Sequence, residues 1–302
     1  MKHSIIEGSK TRVAAALYMA VFFIMIAFLV KHTAVLEIEK RIAETPDSIA
    51  YFENLPLEAE AVYVYDTATK RSLYGKNEHL PLPLASITKV MTAVCALENL
   101  DKNGYIVIPE SVLGEDGDRN LEAGKTWKIG DLVSYMLVKS SNDAAVALGK
   151  AIGGQESMVS CMNRTAEEME LFDTRFDNES GLDIGSKPGA YGSAEDATQL
   201  LLKAANAYPD IFGSTRYESY NVYDGDTVYE APNTNKAQST IVGMKASKTG
   251  LTDLAGGNLV FEMDAGLGHS VMIAILGSSE DGRFEDALTL SQAVINYLGK
   301  TK

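Results

Sequence analysis

Ser86-Ile87-Thr88-Lys89-Val90-Met91-Thr92-Ala93-Val94-Cys95-Ala96-Leu97 separates a strand-forming approach from a helical middle. Ile87, Val90, Met91, Val94 and Leu97 recur at the spacing of one helix face. Upstream, Glu60-Ala61-Val62-Tyr63-Val64-Tyr65-Asp66 alternates, Thr67-Ala68-Thr69-Lys70 is a polar turn, and Ser72-Leu73-Tyr74 resumes the pattern. That is a β-hairpin signal. Downstream, Leu121 to Ile152 is rich in Leu, Val and Ala and reads as helices broken near Gly130 and at Ser140-Ser141-Asn142. Met158 to Leu171 and Glu195 to Ala205 continue the helical middle. Strand-like runs return at Tyr217 to Tyr223, Ile241 to Ser247, Asn258 to Met263 and Ser270 to Leu276, before an amphipathic helix over Phe284 to Leu298. Strands at both ends with helices between them imply an α+β fold. An antiparallel sheet forms from the first hairpin and the last strands, flanked by helices, with a separate helical lobe. A site is expected in the cleft between the two.

Three short motifs lie along this frame. Ser86-Ile87-Thr88-Lys89 is an S-x-x-K at a helix start. Positions i and i+3 share a helix face, so hydroxyl and amine can meet, and the N–H groups of a first helical turn favour an oxyanion. Alone it carries little, since about one such match arises by chance in a chain this long. Ser140-Ser141-Asn142 is an S-x-N on the turn between two helices, entering Asp143-Ala144-Ala145-Val146-Ala147-Leu148. Ser219-Tyr220-Asn221 matches the same pattern inside a tyrosine-rich strand and reads as structural. Lys248-Thr249-Gly250 closes the run from Met244 to Ser247, where a lysine beside a glycine on an edge strand offers a cation and close backbone approach.

Bulk properties narrow the function. The chain has 302 residues and a net charge of −14, which leaves no basic face for nucleic acid. Cys95 and Cys161 have no metal-ligand spacing, both lie in helical patterns, and buried free thiols are expected rather than a disulfide. No metal or organic cofactor is implied. Outside the N-terminal segment only His79 and His269 remain, the first in a Pro-rich approach to a helix and the second at a strand start. A serine nucleophile here is expected to use a base other than histidine.

Val13 to Val30 is uncharged and apolar, close to the shortest length that spans a bilayer. Lys2, Lys10 and Arg12 precede it against Glu7, favouring a cytoplasmic N-terminus. A cleaved signal peptide is the rival reading, but no small-x-small pair follows at Leu29 to Ala34. The expected organisation is a cytoplasmic segment (1–12), a transmembrane anchor (13–30), a juxtamembrane stalk (31–56) and a catalytic domain (57–302) outside the cytoplasm, on the cell-wall or periplasmic side.

The ordered set S-x-x-K, S-x-N, K-T-G is the pattern of penicillin-binding proteins and class A β-lactamases. Its surroundings resemble the low-molecular-weight D-alanyl-D-alanine carboxypeptidases. Pro83 to Ala93 looks like that family's nucleophile segment, Val138 to Ala145 is similar to its second motif, and Phe176 to Asp183 resembles a characteristic loop. Lys248 to Gly256 resembles the third motif with its trailing Ala-Gly. Leu251 stands where the family often has an aromatic or histidine, and Ala246-Ser247 lacks a usual glycine.

The resemblance implies a peptidoglycan stem peptide as substrate, β-lactams as acylating inhibitors, and hydrolysis of the terminal D-Ala through an acyl-enzyme. It implies Ser86 as nucleophile, Lys89 as its base and Ser140 as proton relay. Asn142 would hold the acyl-side amide, and the N–H groups of Ser86 and Leu251 would form the oxyanion hole. Lys248, Thr249, Gly250 and Arg283 would meet the substrate's carboxylate end. Two alternatives share these residues: a D,D-endopeptidase cleaving crosslinks, and a β-lactamase. The β-lactamase needs a glutamate-bearing loop, for which Glu179 is the one glutamate in the corresponding stretch.

Overall fold

The computed structural model describes residues 49–114, 116, 121–224, 227–266 and 268–300, with Met19 and Met25 as isolated positions. The chain divides into two units, 1–48 and 49–302. The expected cytoplasmic segment and membrane span fall, apart from those two methionines, outside the described residues. Among the described residues no helix is long and apolar enough to cross a membrane.

The second unit begins before the boundary expected at residue 57. A short helix α1 (Ile49–Phe52) carries two aromatics that find partners. Phe52 is fully buried and stacks on Tyr74 at 5.4 Å, and Tyr51 meets the edge of Tyr297 at 5.7 Å. Residues 49–56 therefore belong to the folded domain and not to the stalk; only tertiary burial reveals this, because the segment has no periodicity.

Strand β1 (Ala61–Asp66) and β2 (Arg71–Lys76) form the expected hairpin. β3 (Leu82–Pro83) leads into a 3-10 turn, Ala85–Thr88, and helix α2 (Lys89–Asn99). A small ribbon of β4 (Tyr105–Val107) and β5 (Thr126–Lys128) precedes α3 (Ile129–Lys139), α4 (Asn142–Ala151) and α5 (Gln155–Glu168). β6 (Arg175–Phe176) and β7 (Ala190–Gly192) pair beside β3. Then come α6 (Ala194–Ala207), the short α7 (Pro209–Phe212) and a hairpin of β8 (Ser219–Asp224) and β9 (Thr227–Pro232). Long strands β10 (Met244–Thr252), β11 (Gly256–Asp264) and β12 (Ser270–Ser278) and helix α8 (Gly282–Lys300) end the chain.

The main sheet is antiparallel, ordered β10-β11-β12-β1-β2, so the last strands close onto the first hairpin as the alternating patterns predict. Side chains alternate across a strand, and here both faces are buried. Val62, Val64, Ile273 and Ile275 join one core with Phe284, Leu290 and Val294 of α8. Ala61, Tyr63, Met272 and Ala274 join the other with Leu200, Leu201 and the helical lobe. β10 is one of the two edge strands and runs through Lys248-Thr249-Gly250 to Thr252, so the motif lies inside the strand rather than at its close. Pairing of Gly250 with Asn258 and of Leu251 with Gly257 extends it past the turn that the glycine suggested. Cys95 and Cys161 are buried free thiols, each 3.9 Å from the Thr165 hydroxyl.

Candidate active site

A cavity of about 1100 Å³ brings Ser86, Ser140, Asn142, Glu179, Ser180, Thr234 and Leu251 to one wall system. They arrive on several elements, with Glu179 and Ser180 sharing one loop.

Ser86 sits on the 3-10 turn rather than on the helix proper. In a 3-10 turn residues i and i+3 eclipse, which aligns Ser86 with Lys89, and Lys89 Nζ lies 2.8 Å from Ser86 Oγ. Ala85, just before it, holds a left-handed φ of 48°, a conformation that costs a non-glycine residue energy and persists only where surroundings enforce it. The enforcing neighbours are visible. Leu84 N donates to Ala190 O at 3.0 Å. Gly181, at φ 80°, packs so closely that a Cβ there would lie 1.9 Å from Ala85 O.

Lys89 is fully buried. Besides Ser86, Nζ donates to Asn142 Oδ1 and to Ser180 O, both at 2.6 Å. Nζ thus has three oxygen neighbours: Ser86 Oγ, Asn142 Oδ1 and the Ser180 carbonyl. The Ser180 carbonyl is held in place by Asn178, whose Oδ1 accepts from Ser180 N and Gly181 N, and by Thr92, whose hydroxyl donates to Glu179 O.

Ser140 caps α3 in the left-handed conformation, φ 63°. Its neighbour Ser141 caps α4, accepting from Ala144 N at 3.1 Å. This break between helices turns Ser140 and Asn142 into the cavity. Lys248 Nζ donates to Ser140 Oγ at 2.9 Å. Lys248 is buried, and burial first, then the Lys89 and Arg283 cations, hold its pKa well below the usual lysine value. Thr249 Oγ1 lies 2.6 Å from Thr234 Oγ1, which faces the cavity. Gly250 permits the strand to approach the nucleophile turn, since a Cβ there would meet Leu84 O at 2.7 Å.

All nine residues expected from sequence thus lie in one assembly: Ser86, Ser140, Asn142 and Leu251 line the cavity, and Lys89, Lys248, Thr249, Gly250 and Arg283 back them, Arg283 Nη1 donating to Gly250 O at 2.6 Å. His79 pairs with Glu195 and Asp173, and His269 Nε2 lies 2.8 Å from Asp66, both remote from the serine. Among the described residues no cluster of His, Cys, Asp or Glu could hold a metal. Sequence reasoning missed the Ser180 carbonyl, Thr234 and the close contact of Gly181. The Asn178-to-Gly181 turn chemistry was the available signal for the first and last; Thr234 had none.

Comparison with known proteins accords with this geometry. A family model described as D-alanyl-D-alanine carboxypeptidase matches residues 49–279. The chain is 32% identical over 204 residues to D-alanyl-D-alanine carboxypeptidase DacF of Bacillus subtilis, covering 65% of this chain and 51% of the relative. It is 28% identical over 247 residues to a D-alanyl-D-alanine endopeptidase of Pseudomonas aeruginosa, covering 78% of each. Penicillin-binding protein D2 of Listeria monocytogenes, solved in cefotaxime-bound form, superposes with a TM-score of 0.68 at 28% identity, covering 80% of this chain and 98% of that one. The chain spans about half the length of the Bacillus relative and 65% of the carboxypeptidase DacD of Escherichia coli.

Proposed function

Since this chain belongs to the D-alanyl-D-alanine carboxypeptidase family, we propose that it removes the terminal D-Ala from peptidoglycan stem peptides by serine acyl transfer. The observation that carries the reading is the buried Lys89 Nζ 2.8 Å from the Ser86 hydroxyl, held there by Asn142 Oδ1 and the Ser180 carbonyl.

Lys89 takes the Ser86 proton as Oγ attacks the carbonyl of the penultimate D-Ala. The oxyanion forms between the N–H groups of Ser86 and Leu251, each worth about 3 kcal/mol in the transition state. Ser140, bonded to Lys248, gives its hydroxyl proton to the departing D-Ala nitrogen as the C–N bond breaks, and receives in its place the proton that Lys89 took from Ser86. Water then attacks the ester, and Lys89, free again, takes its proton and returns it to Ser86 Oγ as the ester C–O bond breaks. Asn142 holds Lys89 and presents its amide to the acyl chain. Thr249, the Lys248 charge cluster and Arg283 make the leaving-group end of the cleft favourable to a carboxylate. β-Lactams acylate the same serine and leave it slowly.

Crosslink cleavage by the same residues is the second reading, favoured by the similarity to an endopeptidase across 78% of the chain. The apolar segment 13–30 supports an uncleaved membrane anchor with the catalytic domain outside the cytoplasm.

A fluorescent penicillin should label the purified protein covalently, and Ser86→Ala should take up none. Equal labelling of the variant would remove Ser86 from the mechanism.

A further inference from the structure

Arg283 lies in the first turn of α8, where the helix dipole disfavours a cation, yet it is only 5% exposed. Its guanidinium carbon sits 4.7 Å from the centre of the Phe284 ring. The side chain passes over Gly257, which stands opposite Leu251 in the β10–β11 ladder. A Cβ on Gly257 would come within 3.2 Å of Arg283 Cδ. The far end of this route is the buried 2.6 Å bond from Nη1 to Gly250 O.

That carbonyl belongs to the same peptide as the Leu251 N–H. The peptide is trans, so its C=O and N–H point in opposite directions. A charged donor fixed on the oxygen sets where the N–H points. It also draws electron density from the amide, which makes the N–H a stronger donor, as in any chain of linked hydrogen bonds. Leu251 shares the cavity wall with Ser86, so the peptide that Arg283 holds from behind is the one whose front faces the reacting carbonyl.

We propose that Arg283 is a positioning residue of the oxyanion site, acting on the developing charge through the Gly250–Leu251 peptide, in addition to its pull on a substrate carboxylate. The proposal rests on acyl transfer at Ser86. It makes Arg283 matter for substrates without a carboxylate as well as for those that carry one.

The test uses the full-length protein with Arg283→Ala and Arg283→Lys. Two acyl donors are compared, a penicillin and a neutral thioester without a carboxylate. Acylation by both should fall about tenfold to a hundredfold in Arg283→Ala, the range for weakening one oxyanion donor, with thioester KM within about twofold. Lysine, which can still place one charged donor on Gly250 O, should restore part of the rate. Isotope-edited infrared spectra of the penicilloyl-enzyme give the readout that a scaffold role does not move. The ester carbonyl band should shift to higher wavenumber in Arg283→Ala and return toward the wild-type position in Arg283→Lys. A loss confined to the penicillin would make Arg283 a carboxylate reader only and overturn the proposal. So would slower acylation of both donors with the ester band unmoved. Failure of the wild type to form any acyl-enzyme would instead refute the Ser86 reading, and this inference with it.

Discussion

Lys89 and Lys248 are two buried amines in one cluster, each touching a serine hydroxyl that faces the cavity. General bases of this kind contribute about 10²- to 10⁴-fold, so Lys89→Met should slow penicillin acylation by that factor while the variant still unfolds cooperatively. An acylation rate within tenfold of wild type would give the base role to another group. Lys248 answers to a different measurement. Its folded pKa lies below the unfolded value of about 10.4. Between the two values the unfolded chain binds the additional proton, so this residue makes stability rise with pH through that window and fall as pH drops toward the folded value. Lys248→Met should therefore show a flatter increase in unfolding midpoint over the alkaline range below about pH 10 than the wild type. It should also be inactive, because Ser140 loses its donor. Parallel pH dependences would mean that Lys248 keeps its proton in the folded protein.

At the scale of elements, the site depends on breaks rather than on regular structure: a 3-10 turn, a left-handed cap between two helices and a tight loop. Gly181 joins the loop to the nucleophile turn. Gly181→Ala demands a left-handed alanine, about 1–2 kcal/mol, and forces apart backbone that would lie 1.9 Å from its Cβ, typically about 1–3 kcal/mol more. The variant should unfold at lower denaturant and acylate slowly, and unchanged values in both assays would show that the loop yields freely. The motifs were legible because their spacing is local. S-x-x-K needs one helical turn, S-x-N one helix junction and K-T-G one strand. What stayed hidden acts through backbone or through distant chain: the Ser180 carbonyl has no side-chain signature, and Thr234, on the loop after β9, meets Thr249 only once that loop packs on β10. The hairpin return at Thr227–Pro232 was missed, although Asp224-Gly225 before it is a turn dipeptide.

For the whole molecule, the sheet of first and last strands followed from the first hairpin's alternation and from the apolar runs near the end, which feed a core on each face. The early start of the domain at Ile49 did not, because Tyr51 and Phe52 declare themselves only by what they pack against. The proposed anchor belongs to this scale. Protein extracted from membranes should retain its N-terminal residues by intact mass, and a mature terminus near residue 35 would make segment 13–30 a signal peptide. Acyl transfer from D-Ala-D-Ala substrates to Ser86 is the central claim, and free D-Ala is its first product. The purified protein, incubated with a stem pentapeptide ending in D-Ala-D-Ala, should release one equivalent of D-Ala per peptide, and Ser86→Ala should release none. No release by the wild type, or equal release by Ser86→Ala, would contradict it.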